Sequence, residues 1–192
     1  MIELSDVLAA RDRIAGRVHR TPLFSATAIG AMAGVRLHLK AELFQKTGSF
    51  KVRGVVNKLL AMDPAERARG LISLSAGNHA AALAWGATAT GTRATIVMPS
   101  TAVPFKIEAT KGYGGDVVLT EGNLLDTCQA IQRERGLTMV HPFDDPLVMA
   151  GQGTVGLEIL EDLRDVDAVI VPVGGGGLLS GIATAIKARR RE

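Results

Sequence analysis

The sequence predicts an α/β fold in which parallel sheets are flanked by helices. Short apolar runs recur along the chain, and stretches with helical spacing separate them. Strands that are apolar throughout are typical of a parallel sheet that is covered on both faces. The runs interpreted as strands cover residues 71–74, 94–98, 116–119, 138–140 and 168–173, with an earlier alternating run at 35–40.

Apolar stripes at helical spacing predict the helices. One stripe lies within residues 1–20 and another begins after Lys51, and further helices are predicted over 154–163 and 178–190. The Pro-Phe-Asp-Asp-Pro run at 142–146 interrupts this alternation and is interpreted as a crossing between two sub-domains. We therefore predict a large domain from residues 1–50 and 142–192 and a small domain with an open α/β sheet from residues 51–141. Because further strands usually follow such a helix, we expect the large domain to be incomplete.

Composition excludes several classes of function. The chain is 47% hydrophobic and 21% charged, as in ordinary globular proteins, and its net charge of +3 is too small to indicate a nucleic-acid partner. The basic cluster at 187–191 is interpreted as a solvated helix end. Cys128 is the single cysteine and no apolar run is long enough to span a bilayer, so we expect a cytoplasmic protein without a membrane partner. The four histidines lack metal-ligand spacing, so no metal site is predicted.

A run of four glycines predicts a site for an anion. Gly174, Gly175, Gly176 and Gly177 follow an apolar run and open a helix at Leu178. Successive N–H groups in such a loop can converge on an anion, and the helix N-terminus attracts negative charge. Leu179 stands where the dinucleotide fingerprint needs glycine, and no Gly-Lys-Ser/Thr follows. The loop therefore indicates a phosphate without the NAD or ATP signatures, and a plain strand-to-helix turn remains the alternative.

Lys51 lies at the start of a predicted helix. Ser49 precedes this helix and is expected to be its N-cap, which places Lys51 in the first turn. The positive end of the helix dipole disfavours a cation there, so we expect a lowered pKa and a neutral amine able to attack a carbonyl. A solvated surface lysine is the alternative.

A second strand-to-helix turn contains Ser75, Ala76, Gly77, Asn78 and His79. Its hydroxyl, amide and N–H groups are suited to hold a carboxylate or a phenolic oxygen. His79 is a possible base, but no Ser, Cys or Asp is spaced to complete a triad. A histidine that only donates and accepts hydrogen bonds near the helix start is the favoured interpretation.

Four motifs in order resemble one enzyme family, the fold-type II pyridoxal-phosphate (PLP) enzymes, which have the tryptophan synthase beta-like fold. The similarity runs from about Thr21 to the end of the chain, and the segments at 141–146 and 150–154 resemble the stretch typical of threonine and serine dehydratases (ammonia-lyases). The matching segments are Lys40-Ala41-Glu42 with residues 47–54, the turn at 75–80, His141-Pro142-Phe143-Asp144-Asp145-Pro146 with residues 150–154, and residues 172–178.

The resemblance implies a role for each matching position. Lys51 would carry the PLP as a Schiff base, be displaced by substrate and then move the Cα proton, with Phe50 packed beside the cofactor. Asn78 would donate a hydrogen bond to the phenolic oxygen of the ring, and Ser75, Ala76, Gly77, Asn78 and His79 would hold the substrate carboxylate. Gly174, Gly175, Gly176, Gly177 and Leu178 would hold the phosphate. The implied reaction removes the β-hydroxyl of L-threonine or L-serine and yields a 2-oxo acid and ammonia.

Two positions bear on the choice within the family. Ala76 matches the dehydratases, whereas the similar serine racemases carry a serine there that serves as the second-face acid and base, so elimination is favoured over racemisation. Ala81 stands where relatives usually have glutamine, which puts a loop or effector contact in doubt. A serine racemase or ectoine-pathway dehydratase relative, and a non-catalytic remnant or assembly partner, remain alternatives. The family also implies a homo-oligomer.

Overall fold

The structure is a computed structural model and describes residues 1–190. The helices are α1 (Leu4–Ile14), α2 (Thr27–Ala33), α3 (Lys51–Ala61), α4 (Pro64–Ala68), α5 (Asn78–Ala89), α6 (Pro104–Gly112), α7 (Leu124–Arg135), α8 (Pro146–Asp162) and α9 (Gly177–Arg189). The strands are β1 (Leu23–Ser25), β2 (His38–Lys40), β3 (Leu71–Leu74), β4 (Ala94–Pro99), β5 (Asp116–Thr120) and β6 (Thr138–Met139). A 3₁₀ turn, Glu42–Phe44, precedes α3.

A four-stranded parallel sheet in the order β5-β4-β3-β6 forms the centre of the fold. Its strands confirm four of the predicted runs. Alternate residues of β3 point to opposite faces, so Leu71 packs with α3 and α5 while Ile72 packs with Cys128 of α7. The sheet is therefore covered on both faces, as its apolar strands predicted.

A second group of helices packs beside the sheet. Helices α1, α8 and α9 pack together, and α3 contacts both α8 and α5, so that α3 joins this group to the sheet. The contact between α8 and α9 is close, because a Cβ on Gly153 would lie 2.8 Å from the carbonyl oxygen of Gly181. Strands β1 and β2 form a separate antiparallel pair.

The structure corrects several predicted elements. Residues 168–173 form no strand, since none of the strands in residues 1–190 pairs with them. The run at 35–40 is a strand only over β2. The helix predicted over 154–163 begins earlier, at Pro146, because the Asp145 carboxylate accepts hydrogen bonds from the N–H groups of Leu147 and Val148.

Other predictions stay open. The division into domains of residues 1–50 with 142–192 and of residues 51–141 stays a prediction. Arg191, from the predicted basic cluster, and Glu192, the end of the predicted large domain, lie outside the described residues.

None of the described helices is long and apolar enough to cross a membrane. Within residues 1–190, no cluster of three His, Cys, Asp or Glu side chains could hold a metal ion.

Candidate active site

Lys51 is the first residue of α3, and its amine points into the protein. Its Nζ donates a hydrogen bond to the carbonyl oxygen of Pro142 at 2.7 Å and lies 5.4 Å from the centroid of the Phe50 ring. Burial lowers the pKa of this amine. The predicted direction is confirmed, and loss of solvent is its cause in the structure.

The predicted cap of α3 is wrong. Phe50 occupies the N-cap position with helical backbone angles, and no side chain caps the helix. The Ser49 hydroxyl is instead buried, and within residues 1–190 it has no hydrogen-bond partner. A buried hydroxyl without a partner costs free energy, so its presence two residues before Lys51 indicates a place where a ligand group can bind.

Two adjacent residues, Pro142 and Phe143, connect Lys51 to the glycine loop. Pro142 accepts the hydrogen bond from Lys51, and the next residue, Phe143, lies against the loop. A Cβ on Gly175 would lie 2.3 Å from Cγ of the Phe143 ring, and a Cβ on Gly177 would lie 2.8 Å from the Phe143 carbonyl oxygen. Only glycine fits at these two positions without displacing Phe143. The lysine and the loop therefore contact neighbouring residues of one segment.

The glycine loop forms the N-terminus of α9. Gly176 is the N-cap, with a φ of 86° that favours glycine. Cβ atoms on Gly174 and Gly176 would meet nothing within 4 Å, so this side of the loop is open. The first turn of α9 carries no acidic side chain, and its N–H groups have no acceptor within the helix. These features fit an anion.

The turn before α5 also offers unsatisfied polar groups. The Ser75 hydroxyl accepts a hydrogen bond from the N–H of Gly77 at 3.2 Å, which leaves its own hydrogen free to donate. Gly77 is the N-cap of α5, and the Asn78 side chain that follows is exposed. Ala76 is half-buried and contributes no polar atom.

His79 is a buried, hydrogen-bonded histidine, as the favoured interpretation predicted. The Ser73 hydroxyl donates a hydrogen bond to the Val140 carbonyl oxygen. His79 Nε2 lies 3.1 Å from the Ser73 hydroxyl oxygen and 3.2 Å from the Val140 carbonyl oxygen. Both neighbours accept, so Nε2 carries the hydrogen, while Nδ1 has no partner within residues 1–190. Burial, and then the nearby Lys51 ammonium, lower the pKa of His79 to about 3. The imidazole is therefore neutral near neutral pH.

The sequence of this chain matches a known protein family. The sequence profile of pyridoxal-phosphate dependent enzymes matches residues 14–192. This chain belongs to that family. L-threonine ammonia-lyase of Thermotoga maritima is 48% identical over all of this chain and 49% of its own length. The chain thus spans about half the length of the curated relatives it matches.

Two solved structures of family members have the same fold. Maize serine racemase matches with a TM-score of 0.96 and 41% identity over 99% of this chain and 59% of its own chain. The processed form of threonine deaminase isoform 2 from Solanum lycopersicum matches with a TM-score of 0.88 and 39% identity over 96% of this chain and 51% of its own. These likenesses confirm the fold-type II assignment.

The residues present fit the family's cofactor, pyridoxal phosphate. An aldehyde is attacked by a neutral amine, a form that the lowered pKa of the partly buried Lys51 favours, and a phosphate fits the open N-terminus of α9. Phe50 and Leu178, from the two ends of the site, pack in one apolar cluster with Val155, Ile159 and Ile182. The orphaned Ser49 hydroxyl lies beside this site.

A large cavity lies beside this site. It has a volume of about 830 Å³ and separates β2 from residues 163–172. Phe50 and Leu178 contribute to its wall, but Lys51 and the four glycines do not. Its lining includes charged side chains such as Lys40 and Glu42, but Lys51 and the four glycines lie outside it, so we place the candidate site at Lys51.

Sequence reasoning missed the buried ion cluster around Arg53. Its guanidinium is bonded to the carboxylates of Glu42 and Glu158, and its side chain is 1% exposed. Glu42 and Arg53 both occur in the motif that resembles the family, but nothing in a single sequence shows that they meet. No motif or pattern in the sequence indicated a role for Glu158.

Proposed function

We propose that this chain forms the cofactor-lysine part of a PLP-dependent ammonia-lyase that acts on L-threonine or L-serine. Family membership and the 45–48% identity to L-threonine ammonia-lyases support the proposal. The net reaction would convert threonine into 2-oxobutyrate and ammonia, with water leaving and then returning.

One observation carries the proposal. The partly buried amine of Lys51 contacts Pro142, and the glycine loop at α9 contacts Phe143, the next residue in the chain. A group with an aldehyde at one end and a phosphate at the other would therefore find both partners in one place.

Each residue then has a task. Lys51 holds the cofactor covalently and moves the proton at the substrate Cα, which its lowered pKa favours. Phe50 packs beside the ring, Asn78 donates to its phenolic oxygen, and residues 174–178 bind the phosphate. The turn at 75–79 orients the substrate carboxylate. Bound PLP supplies an electron sink for the charge that develops at Cα.

Racemisation is the second candidate, because maize serine racemase matches this fold with a TM-score of 0.96. Two-sided proton transfer needs a second acid or base on the face of Cα opposite Lys51. The matching position here is Ala76, whose methyl group carries no proton to exchange. We therefore infer elimination in preference to racemisation, and chiral analysis of recovered serine would distinguish the two.

The covalent site is tested by incubating the chain with PLP, reducing with borohydride and mapping the pyridoxyl group by mass spectrometry. We expect the adduct on Lys51 and its loss in Lys51→Ala. Lys46→Ala is the matched control, because Lys46 is an exposed lysine only five positions away and should leave the adduct unchanged. A pyridoxyl group on another lysine would refute the assignment.

Turnover is tested by ammonia release from L-threonine and L-serine with PLP present. Lys51→Ala should abolish release, because the covalent step is lost. An adduct on Lys51 without any turnover would favour the non-catalytic remnant. Sedimentation would test the proposed homo-oligomer.

A further inference from the structure

Arg53 is a fully buried arginine that holds two carboxylates at once. Its Nε and Nη2 donate to Glu42 at 2.9 and 2.8 Å, and its Nη1 and Nη2 donate to Glu158 at 2.6 and 2.9 Å. Both contacts are two-pronged, the geometry that gives arginine–carboxylate pairs their directional strength.

The carboxylates come from separate parts of the chain. Glu42 belongs to the 3₁₀ turn after β2, and Glu158 belongs to α8. Lys40 strengthens the connection, because its Nζ lies 2.7 Å from Glu158 and also donates to the Thr21 carbonyl oxygen at 2.7 Å. The guanidinium of Arg53 therefore ties the start of α3 to two other segments.

Arg53 and Lys51 lie on opposite sides of the same helical turn. Residues in an α-helix are about 100° apart, so two positions separate their side chains by about 200°. Lys51 thus faces Pro142, while Arg53 faces Glu42 and Glu158. Any rotation or tilt of this turn would move both side chains together.

Helices α3 and α8 pack closely here, through glycines instead of larger side chains. A Cβ on Gly151 of α8 would lie 2.6 Å from the Arg53 carbonyl oxygen, and a Cβ on Gly54 would lie 2.6 Å from the Val148 carbonyl oxygen. Two glycines facing each other bring the backbones together but provide no interlocking side chains. The Arg53 contacts supply directional restraint at this position, alongside the hydrogen bond from the Gly54 N–H to Gln152.

Buried ion pairs often add little stability compared with apolar residues of the same size, and some instead specify one arrangement. We propose that Arg53 is a positioning residue: by holding Glu42 and Glu158 together, it fixes the first turn of α3 and so keeps the Lys51 amine at Pro142. The relevance to catalysis rests on the function proposed above, but the placement of the amine does not.

The test compares three variants of the 192-residue chain without cofactor. Arg53→Met/Glu42→Met removes one charge of each sign and leaves Glu158 paired with Lys40. Arg53→Lys keeps the charge but loses the two-pronged geometry. Arg20→Met is the matched control, because Arg20 pairs with Glu161 and Asp162 at the far end of α8 and is half exposed.

The main measurement is the pH dependence of Lys51 acetylation, read by peptide mass spectrometry with Lys46 in the same sample as reference. In both Arg53 variants we expect the midpoint to rise, because a displaced amine regains solvent. Each unit of rise lowers the neutral fraction about tenfold at a fixed pH below the midpoint. Melting temperatures should stay close to that of the parent chain in the double variant.

An unchanged midpoint in a folded Arg53 variant would overturn the proposal. An equal shift in Arg20→Met would do so too, since the effect would then be general loosening. Unfolding of both Arg53 variants would make Arg53 a stability residue only and would also overturn it. A different result would refute the proposed function alone: PLP and borohydride would label no lysine in the parent chain, while the midpoint of Lys51 acetylation would still shift in the Arg53 variants.

Discussion

The turns at 75–79 and 174–177 have the same sequence pattern but different structural support. Both follow an apolar run and both open a helix. The first run, β3, pairs with β4 on one side and β6 on the other, and three of its four residues are fully buried. The second run, 168–173, pairs with no strand in residues 1–190.

The unpaired run still alternates like a strand. Val169 and Val171 pack on Val155, Ile159 and Ile182, while Ile170 is 92% exposed. An apolar alternation therefore indicates which side chains can be buried, but a strand forms only where another backbone supplies donors and acceptors. The 168–173 segment has an inner face supported by α8 and α9, and its edges meet no other strand of the described chain.

The rate of amide hydrogen exchange should show the largest difference between the runs at 71–74 and 168–173. The N–H groups of Ile72 and Ser73 lie within paired strands, so their exchange requires the sheet to open. The N–H groups of residues 168–173 donate to no backbone acceptor in the described chain. We expect peptides from 71–74 to exchange at least about a thousandfold more slowly, which corresponds to about 4 kcal/mol of extra protection.

Mass spectrometry of the 192-residue chain in D₂O would measure this difference. Equal, strong protection in both runs would mean that 168–173 finds a partner, for instance in a second copy of the chain. Repeating the measurement across protein concentrations would identify that case, because such protection would grow with concentration.

A matched pair of truncations tests burial in the same two runs. Ile72 has no exposed surface and packs between the sheet and α7, whereas Ile170 points outward. Ile72→Ala should lower the free energy of unfolding by about 2–5 kcal/mol, because it leaves a cavity. Ile170→Ala should change it by no more than about 0.5 kcal/mol. Urea denaturation of both variants checks this, and a similar cost at both positions would show that Ile170 is covered in solution.

The sequence alone was enough for the features that depend on neighbours along the chain. The four paired strands, the placement of Lys51 in a first helical turn and the glycine N-terminus of α9 all follow from local patterns. The order of the motifs identified the family because these short segments carry the chemistry. The direction of the Lys51 pKa was also predicted, although its burial could not be.

Features that depend on distant residues could not be predicted. Arg53 and Glu158 are 105 positions apart, and no local pattern indicates that they meet. Ser49 is a residue type that often caps helices, but tertiary packing places its hydroxyl in the interior. The strand predicted at 168–173 was wrong because β-propensity alone does not provide a neighbouring strand to pair with.

Glycine replacements give the smallest expected difference between the two turns. Alanine at Gly175 would put its Cβ 2.3 Å from the Phe143 ring, so that the ring must move, whereas alanine at Gly77 would meet nothing within 4 Å. Gly175→Ala should cost about 1–3 kcal/mol of stability, as overpacking does. Gly77→Ala should cost less, because its Cβ would contact no neighbouring atom and its φ is negative.

A double-mutant cycle sharpens this comparison, with unfolding free energies measured in urea. If the cost of Gly175→Ala comes from Phe143, then it should nearly vanish in a Phe143→Ala background, where the ring is gone. The two substitutions would then be non-additive by about 1 kcal/mol or more. Additive effects would mean that Gly175 is needed for its backbone alone, and that the contact joining the loop to the Pro142–Phe143 segment is not formed in solution.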